Sequence, residues 1–224
     1  QNNTGDWFSI NGNLQVTEFH DIAYDTLSNI LIGGAQDTGT PQQLTPGSFT
    51  WDSVSTADGG DVAVDAISTP GSSVRYSSFQ NLAAFRRRTY DAANTLLNQA
   101  FPALAVTGMG AALVPQFVTP VVVNEVDGLR LIIGGANNPY ESLDQGDNIT
   151  ELDIAAQVNS DSIAYGGRRL GVDNPEVLYL GAGAGVFVRQ AGLGLPVQSA
   201  AWPGGTVRDI VLDPDDWMTA YIAD

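Results

Sequence analysis

Short runs of apolar residues alternate with polar turns along the whole chain. Five segments share one pattern: an apolar strand, a turn rich in Asp, Asn, Pro and Gly, and a second apolar strand that runs into small residues. These segments begin at Asp21, Asp61, Pro120, Ser162 and Asp209. Helical periodicity is strong nowhere, although YDAANTLLNQA, from Tyr90 to Ala100, suggests one short helix. The pattern therefore predicts an all-β protein built from repeated units.

The spacing of the units points to one architecture. The five starting positions lie 40, 59, 42 and 47 residues apart. A period of about 40 to 50 residues with several short strands is typical of a β-propeller blade. The 59-residue unit is interpreted as a blade that carries an insertion, residues 94–113. The first strand of each unit, such as Val121–Val123, is apolar at consecutive positions, which places it innermost, along a central channel.

The number of blades is open at this point. Four units look complete, the fifth contains only two strands, and residues 5–14 precede the first unit like the outer strand of another blade. Either a five-bladed ring is closed by this N-terminal strand, around Trp7–Ile10, or the chain is part of a larger ring. An unpaired edge strand promotes aggregation, and this favours the interpretation that the chain is part of a larger ring. We expect residues 1–224 to form one propeller domain, or part of one, with about 4.5 blades of four antiparallel strands.

Charge and composition restrict the partners. The chain has 25 acidic and 9 basic residues, all of the latter arginine, and a net charge of −16. Such a surface repels nucleic acid and anionic membranes, so we expect neither nucleic-acid binding nor membrane insertion. The absence of cysteine excludes disulfides and thiolate metal sites. An acidic chain without lysine or cysteine suggests an extracellular or secreted bacterial protein.

One turn carries a family resemblance. Ser142, Asp144 and Gly146 in ESLDQGDNIT fit the Asp-box S-x-D-x-G-x-T-W, although Asn148 and Ile149 replace its last two residues. The chain thus resembles the Asp-box, or BNR-repeat, propellers of the sialidase-like and sortilin-like type. Other units are similar to photosystem II assembly factors and xyloglucan-degrading glycosidases, on the segments 173–181 and 213–221. The resemblance implies a propeller, whose members include hydrolases, receptors and scaffolds.

The chemistry of the Asp-box turn has two interpretations. Asp144 can accept backbone N–H groups of its own turn while Gly146 adopts a positive φ, which predicts a structural lock between the third and fourth strands. Alternatively, the oxygens of Asp144, Asp147 and Asn148 could bind calcium, but the spacing is not that of an EF-hand. No other cofactor is identified.

A glycosidase would need two carboxylates about 5 to 10 Å apart. Candidates are Asp21, Asp61 and Asp209 at the starts of inner strands and Asp37 in the loop after a second strand. Aspartates at strand starts are also ordinary turn residues. Similarity to the xyloglucan-degrading enzymes would require one aspartate from each of two rings, and this chain is too short to hold both.

Arginines and tryptophans give weaker candidates for ligand binding. Arg75, Arg130 and Arg189 lie in three different units, as the carboxylate-binding arginines of a sialidase would, but the Arg-Ile-Pro motif and the Tyr–Glu pair are missing. The alternative is that they lie on blade surfaces and pair with acidic residues there. Trp7 and Trp51 could stack on sugars or pack between blades. The one basic run, residues 86–88, would suit an acidic partner, an internal carboxylate cluster or a solvated strand end.

Two functions remain. The first is a non-catalytic extracellular module that presents its channel mouth or residues 94–113 to a protein or glycan, with the remainder of the propeller or a second chain as a further partner. The second is a glycoside hydrolase of the xyloglucan-degrading type that uses aspartates at the channel mouth. The hydrolase requires facing carboxylates in a cleft lined with aromatic residues, whereas the module predicts a narrow or plugged channel.

Overall fold

A computed structural model describes Gly5 and residues 17–224. The predicted N-terminal strand and Trp7 therefore fall outside the described residues. Within them, the only helical segment is a single 3₁₀ turn, Gln80–Leu82. No helix in this part of the chain is long and apolar enough to cross a membrane.

The described residues contain the strands β1 (Phe19–Asp25), β2 (Ile30–Ala35), β3 (Pro41–Gln43), β4 (Trp51–Ser53), β5 (Gly59–Asp65), β6 (Ser72–Phe79), β7 (Arg86–Asp91), β8 (Leu96–Ala100), β9 (Ala105–Val106), β10 (Val121–Val123), β11 (Leu131–Gly134), β12 (Pro139–Ser142), β13 (Asn148–Glu151), β14 (Ile163–Arg169), β15 (Val172–Ala182), β16 (Gly185–Arg189), β17 (Val197–Gln198), β18 (Asp209–Asp213) and β19 (Asp216–Ala223).

These strands form four antiparallel blades in a propeller arrangement. Blade 1 is β1–β4, blade 2 is β5–β8, blade 3 is β10–β13 and blade 4 is β14–β17. The hairpin β18–β19 joins blade 4 through one pairing, Arg169 with Asp216. The all-β class and the four-stranded antiparallel blades are confirmed. The described residues contain four such blades, and the finer count of about 4.5 is not established by them.

The first strand of each blade lies innermost, as the apolar pattern predicts. β5 packs against β1 on one side and β10 on the other, and β10 packs against β14. One axial pocket is lined by residues from all four of these strands. The inner strands therefore follow one another around a common axis.

The core lies between the blades because apolar strands have two buried faces. Leu131, Ile132 and Ile133 of β11 are all inaccessible to solvent. Leu131 and Ile133 pack with blade 2, whereas Ile132 packs with blade 4. Successive side chains of a strand point to opposite faces, so one apolar run supports two interfaces.

Small residues set the distance between blades 1 and 2. The backbone of β5 at Gly60 occupies the space that a side chain at Gly34 would need. Gly34 therefore permits β5 to lie directly against β2. This close approach places the starts of β1 and β5 beside each other.

The structure corrects one element. The helix suggested for Tyr90–Ala100 is wrong, because this segment contains the end of β7, a turn and β8. The Asp91 carboxylate accepts the backbone N–H groups of Ala93 and Thr95 at 2.9 and 2.8 Å, which closes the turn. Pairing with β7 overrides the helical preference of Ala and Leu.

Residues 94–113 are fastened to two blades. Their first part contains β8, the outer strand of blade 2. Their second part contains β9, which pairs in parallel with β13 and adds a fifth strand to the outer edge of blade 3. The segment therefore covers a sheet edge that would otherwise be free.

Candidate functional site at the axial mouth

Three aspartates meet where the inner strands begin. Asp21 and Asp61 lie in β1 and β5, and Asp161 lies two residues before β14. One carboxylate oxygen from each lies within 4.8 Å of the other two. The convergence follows from the fold, because equivalent positions of neighbouring inner strands meet at the axis.

The three aspartates line one axial pocket. Its volume is about 320 Å³, and its wall consists of these three carboxylates and aliphatic residues of β1, β5, β10 and β14. No aromatic side chain contributes to the wall in the described part of the chain. A neighbouring pocket of about 220 Å³ shares Asp61 and Asp161 and adds His20. The His20 Nε2 atom is buried without a hydrogen-bond partner among the described residues.

Two of the aspartates also connect the blades. The Asp21 carboxylate accepts the backbone N–H of Val62 at 3.1 Å, and the Asp61 carboxylate accepts that of Val121 at 2.6 Å. Each aspartate therefore bonds the inner strand of the following blade. This role fixes the direction of both carboxyl groups.

The cluster favours bound protons. Burial raises the pKa of Asp61 well above its ordinary value, and the nearby Asp21 charge adds to the effect. Burial also raises the pKa of Asp21, and the two carboxyl groups are hydrogen-bonded to each other. The pKa of Asp161 is raised by burial and then by the charge of Asp209. Asp21 and Asp61 therefore behave as a pair that shares a proton.

The arrangement supports two kinds of chemistry. Three hard oxygen donors at this separation suit a cation such as calcium. Within the described ranges, these aspartates are the only three carboxylates close enough to share one ion. A protonated carboxyl beside an ionised one is also what acid catalysis requires.

The other predicted aspartates lie outside the pocket. Asp37 is in the turn after β2, where its backbone N–H donates to the Asp58 carboxylate at 2.9 Å. Asp209 is exposed at the start of β18 and acts on the cluster through its charge on Asp161. Neither residue lines the axial pocket.

Asp161 is not among the aspartates that the sequence pattern singles out. It precedes the starting residue of the fourth unit, Ser162, by one position, whereas Asp21 and Asp61 are themselves the first residues of their units. The signal that marks it is an acidic residue within one position of the unit start.

The three candidate arginines form ion pairs between blades. Arg75 binds Asp25 of blade 1 at 2.7 Å, and both side chains are buried. Arg189 of blade 4 binds Glu141 of blade 3 at 2.5 Å, also out of solvent. Arg130 binds Glu176 at 2.7 Å and Asp127 at 2.9 Å. None of the three arginines lines the axial pocket.

Trp51 also lies away from the axis. It is in β4 and packs against Phe19, with ring centroids 5.8 Å apart. The residues that line the axial pocket do not include it. Trp7 lies outside the described residues.

The Asp-box segment forms the turn between β12 and β13. The Ser142 hydroxyl accepts the Gly146 N–H at 2.8 Å and donates to Asp144 at 2.9 Å. Asp144 accepts two bonds from Asn148, and these bonds hold its pKa below the ordinary value although burial opposes them. Arg87 of blade 2 donates to the Gln145 carbonyl at 2.9 Å. The segment is thus a bonded turn that also contacts the preceding blade.

The fold and the axial pocket place the chain among β-propellers. No family model and no curated protein matches the sequence. Among solved structures, YCF48 from Cyanidioschyzon merolae is similar over 92% of this chain and 63% of its own, with a TM-score of 0.52 and 10% identity.

Two further structures are similar. The GH74 xyloglucanase from Xanthomonas campestris matches 87% of this chain and 32% of its own, with a TM-score of 0.53 and 13% identity. The Cps50 (Swd1) β-propeller domain of Myceliophteria thermophila matches 89% of this chain and 60% of its own, with a TM-score of 0.55 and 10% identity. The chain thus spans less than two thirds of each of these structures. At such identities the likeness concerns the fold alone.

Proposed function

We propose that the chain is a non-catalytic propeller module whose acidic axial mouth binds a basic group of a partner protein. The observation that carries the proposal is the group of three carboxylates within 4.8 Å that lines an otherwise aliphatic pocket. Carboxylates held this close attract a positive charge. A protein is favoured over a glycan because the described pocket wall offers no aromatic surface for sugar stacking.

The energetics of the cluster support a binding role. Raised pKa values mean that the folded chain opposes full ionisation of Asp21 and Asp61 at neutral pH. At neutral pH the cluster therefore lowers the free energy of unfolding, compared with an uncharged residue at either position. Groups that lower stability in this way are common at binding and catalytic sites.

The proposal includes a larger ring. The hairpin β18–β19 is interpreted as the first half of a fifth blade, and the four complete blades as an arc of the ring. Ile22 and Tyr24 of β1 and Val211 and Tyr221 of β18–β19 are more than half exposed, at 56%, 51%, 55% and 61%. Apolar side chains exposed at both ends of the arc are expected where further blades pack, either from the same protein or from a second chain.

The Asp-box assignment and the extracellular location belong to the same proposal. The Ser142–Asp144–Gly146 turn has the bonds expected of an Asp-box. The acidic composition without lysine and cysteine supports a secreted protein.

A glycoside hydrolase is the second candidate. The observation in its favour is the closeness of the Asp21 and Asp61 carboxyl groups, because burial raises the pKa of both and a general acid needs a raised pKa. Against it stands the described pocket wall, which is aliphatic apart from the three carboxylates, whereas a sugar-binding cleft offers aromatic rings for stacking. The binding module is therefore preferred.

One pair of experiments separates these functions. Binding is measured by fluorescence anisotropy with an arginine-rich peptide, and hydrolysis by release of reducing sugar from a panel of polysaccharides. The module predicts peptide binding that weakens in Asp161→Asn and persists in Asp153→Asn, a variant of an exposed acid elsewhere. Sugar release that disappears in Asp61→Asn would establish the hydrolase instead.

A further inference from the structure

One face of β7 carries buried positive charge. The side chains of Arg86, Arg88 and Tyr90 are buried and alternate with half-buried ones. Arg75 of β6 shares this face and lies over the Tyr90 ring at 3.8 Å. Arg75 has a carboxylate partner in Asp25, so its charge is balanced.

The other two arginines have no carboxylate partner among the described residues. Arg88 donates to the Gln99 side chain and to the Val54 carbonyl, both at 2.7 Å and both neutral. Arg86 is only 9% exposed, and its Nη1 atom is buried without a hydrogen-bond partner in the described part of the chain. No carboxylate of the described residues lies within 4.0 Å of either guanidinium.

Aromatic rings flank Arg86 and offset only part of this imbalance. Its guanidinium carbon lies 4.3 Å from the centroid of the Phe79 ring and 5.8 Å from that of Phe101. Such contacts favour a cation, but more weakly than a counter-charge does at a buried position. Burial lowers the pKa of both arginines, and the Arg88 charge lowers that of Arg86 further. A negative group at this place would relieve both effects.

We propose that Arg86 and Arg88 bind an oxyanion at the outer corner between blades 1 and 2. The planar guanidinium fork pairs with two oxygens of a carboxylate or phosphate group. Phe101, which is 59% exposed, forms the solvent side of the site, so a ligand enters beside its ring. The overall charge of −16 disfavours a polyanion, which limits the ligand to a single oxyanion.

This site is separate from the axial mouth. Its residues belong to the outer strands of blade 2, whereas the aspartate cluster belongs to the inner strands. A substitution of Arg86 or Arg88 therefore tests the oxyanion site without altering the axial aspartate cluster.

The experiment measures thermal unfolding in sodium phosphate, sodium acetate and sodium chloride at equal ionic strength. A ligand that binds only the folded state raises the unfolding midpoint with concentration. We expect phosphate or acetate to raise it above the chloride reference. Arg86→Lys keeps the charge but loses the fork, and we expect roughly tenfold weaker binding by calorimetry. Arg168→Lys, at an exposed pair, should retain the full response.

The two anions distinguish the sources of the ligand. A response to phosphate alone indicates a free phosphate or phosphoryl group, and a similar response to acetate indicates a carboxylate from a partner. Equal midpoints in all three salts would overturn the proposal. So would a response that is unchanged in Arg86→Lys.

Discussion

The Asp61 carboxylate accepts the backbone N–H of Val121 at 2.6 Å, so the start of one inner strand is bonded to the inner strand of the next blade. The same carboxyl group faces Asp21 in the axial cluster. A single residue therefore combines a structural bond with a position in the proposed binding site. The two roles respond differently to substitution, and this makes them separable.

We predict that Asp61→Asn stabilises the protein at neutral pH. Asn retains the acceptor for Val121 and removes the charge near Asp21. Because the folded pKa of Asp61 is raised, the folded state holds the proton more strongly than the unfolded state. The bound proton of Asp61 stabilises the folded state fully below the unfolded pKa of about 3.9. This stabilisation is lost as the pH rises through the folded pKa of Asp61. Denaturant unfolding should show a gain of about 1 kcal/mol at pH 7 to 8 that disappears near pH 3.

The matched control for this experiment is Asp153→Asn, since Asp153 is exposed and away from the cluster. It should follow the wild-type pH profile. A loss of stability in Asp61→Asn at pH 8 would contradict the interpretation of a strained carboxyl cluster.

We predict that Arg75→Met destabilises the protein by about 3 to 5 kcal/mol, because it leaves the buried Asp25 carboxylate without its cation. Burial alone would raise the pKa of Asp25, but bonds from Ser73 and Arg75 hold it below the ordinary value. Stability from this pair is therefore present above the unfolded pKa and is lost as the pH falls through the folded pKa. Denaturant unfolding between pH 3 and 7 measures both effects.

Arg168→Met is the comparison for the buried pair. Arg168 and Asp173 also form an ion pair, but both side chains are about half exposed. Its replacement should leave the unfolding midpoint unchanged. Equal effects of the two variants would show that burial is not what makes the Arg75 pair important.

We predict that Gly34→Ala destabilises the protein by about 3 kcal/mol or more, because a methyl group there meets the backbone of Gly60. A backbone atom cannot rotate away as a side chain can. Gly194→Ala provides the control, since no atom lies within 4 Å of a side chain at that position. Thermal unfolding of the two variants compares them directly, and an unaffected Gly34→Ala would argue against the close contact of blades 1 and 2.

We predict that Ser142→Ala destabilises the protein by about 1 to 3 kcal/mol, because the Gly146 N–H loses its acceptor in a buried turn. Ser160→Ala changes an exposed serine and should have no effect. Hydrogen exchange by NMR gives the specific measurement: the Gly146 amide should exchange faster in Ser142→Ala. Unchanged exchange would mean that the hydroxyl does not hold the turn.

The sequence predicts the blades well because each blade repeats the same local pattern. Val121–Val123 is apolar at consecutive positions, which predicts an inner strand, and its side chains are buried or half-buried. The axial cluster is predicted in part, since Asp21 and Asp61 begin their units while Asp161 is displaced by one residue. Spatial convergence at the axis is a property of several blades packed side by side and is not visible in any one unit.

The roles of the arginines could not be read from local sequence. Arg75 and Asp25 are 50 residues apart, and Arg189 and Glu141 are 48 apart. These separations are close to one repeat, so the partners belong to neighbouring blades. The Tyr90–Ala100 helix was wrong for a related reason, since pairing with a strand earlier in the chain decides the conformation of β8.

The parallel pairing of β9 with β13 has a mechanical consequence. The chain leaves blade 2, crosses to the outer edge of blade 3 and bonds there through the N–H groups of Leu104, Ala105 and Thr107. Blades 2 and 3 are thus joined at their rims as well as at the axis. Separation of blades 2 and 3 would therefore break this strand pairing at the rim as well as the contacts between their inner strands.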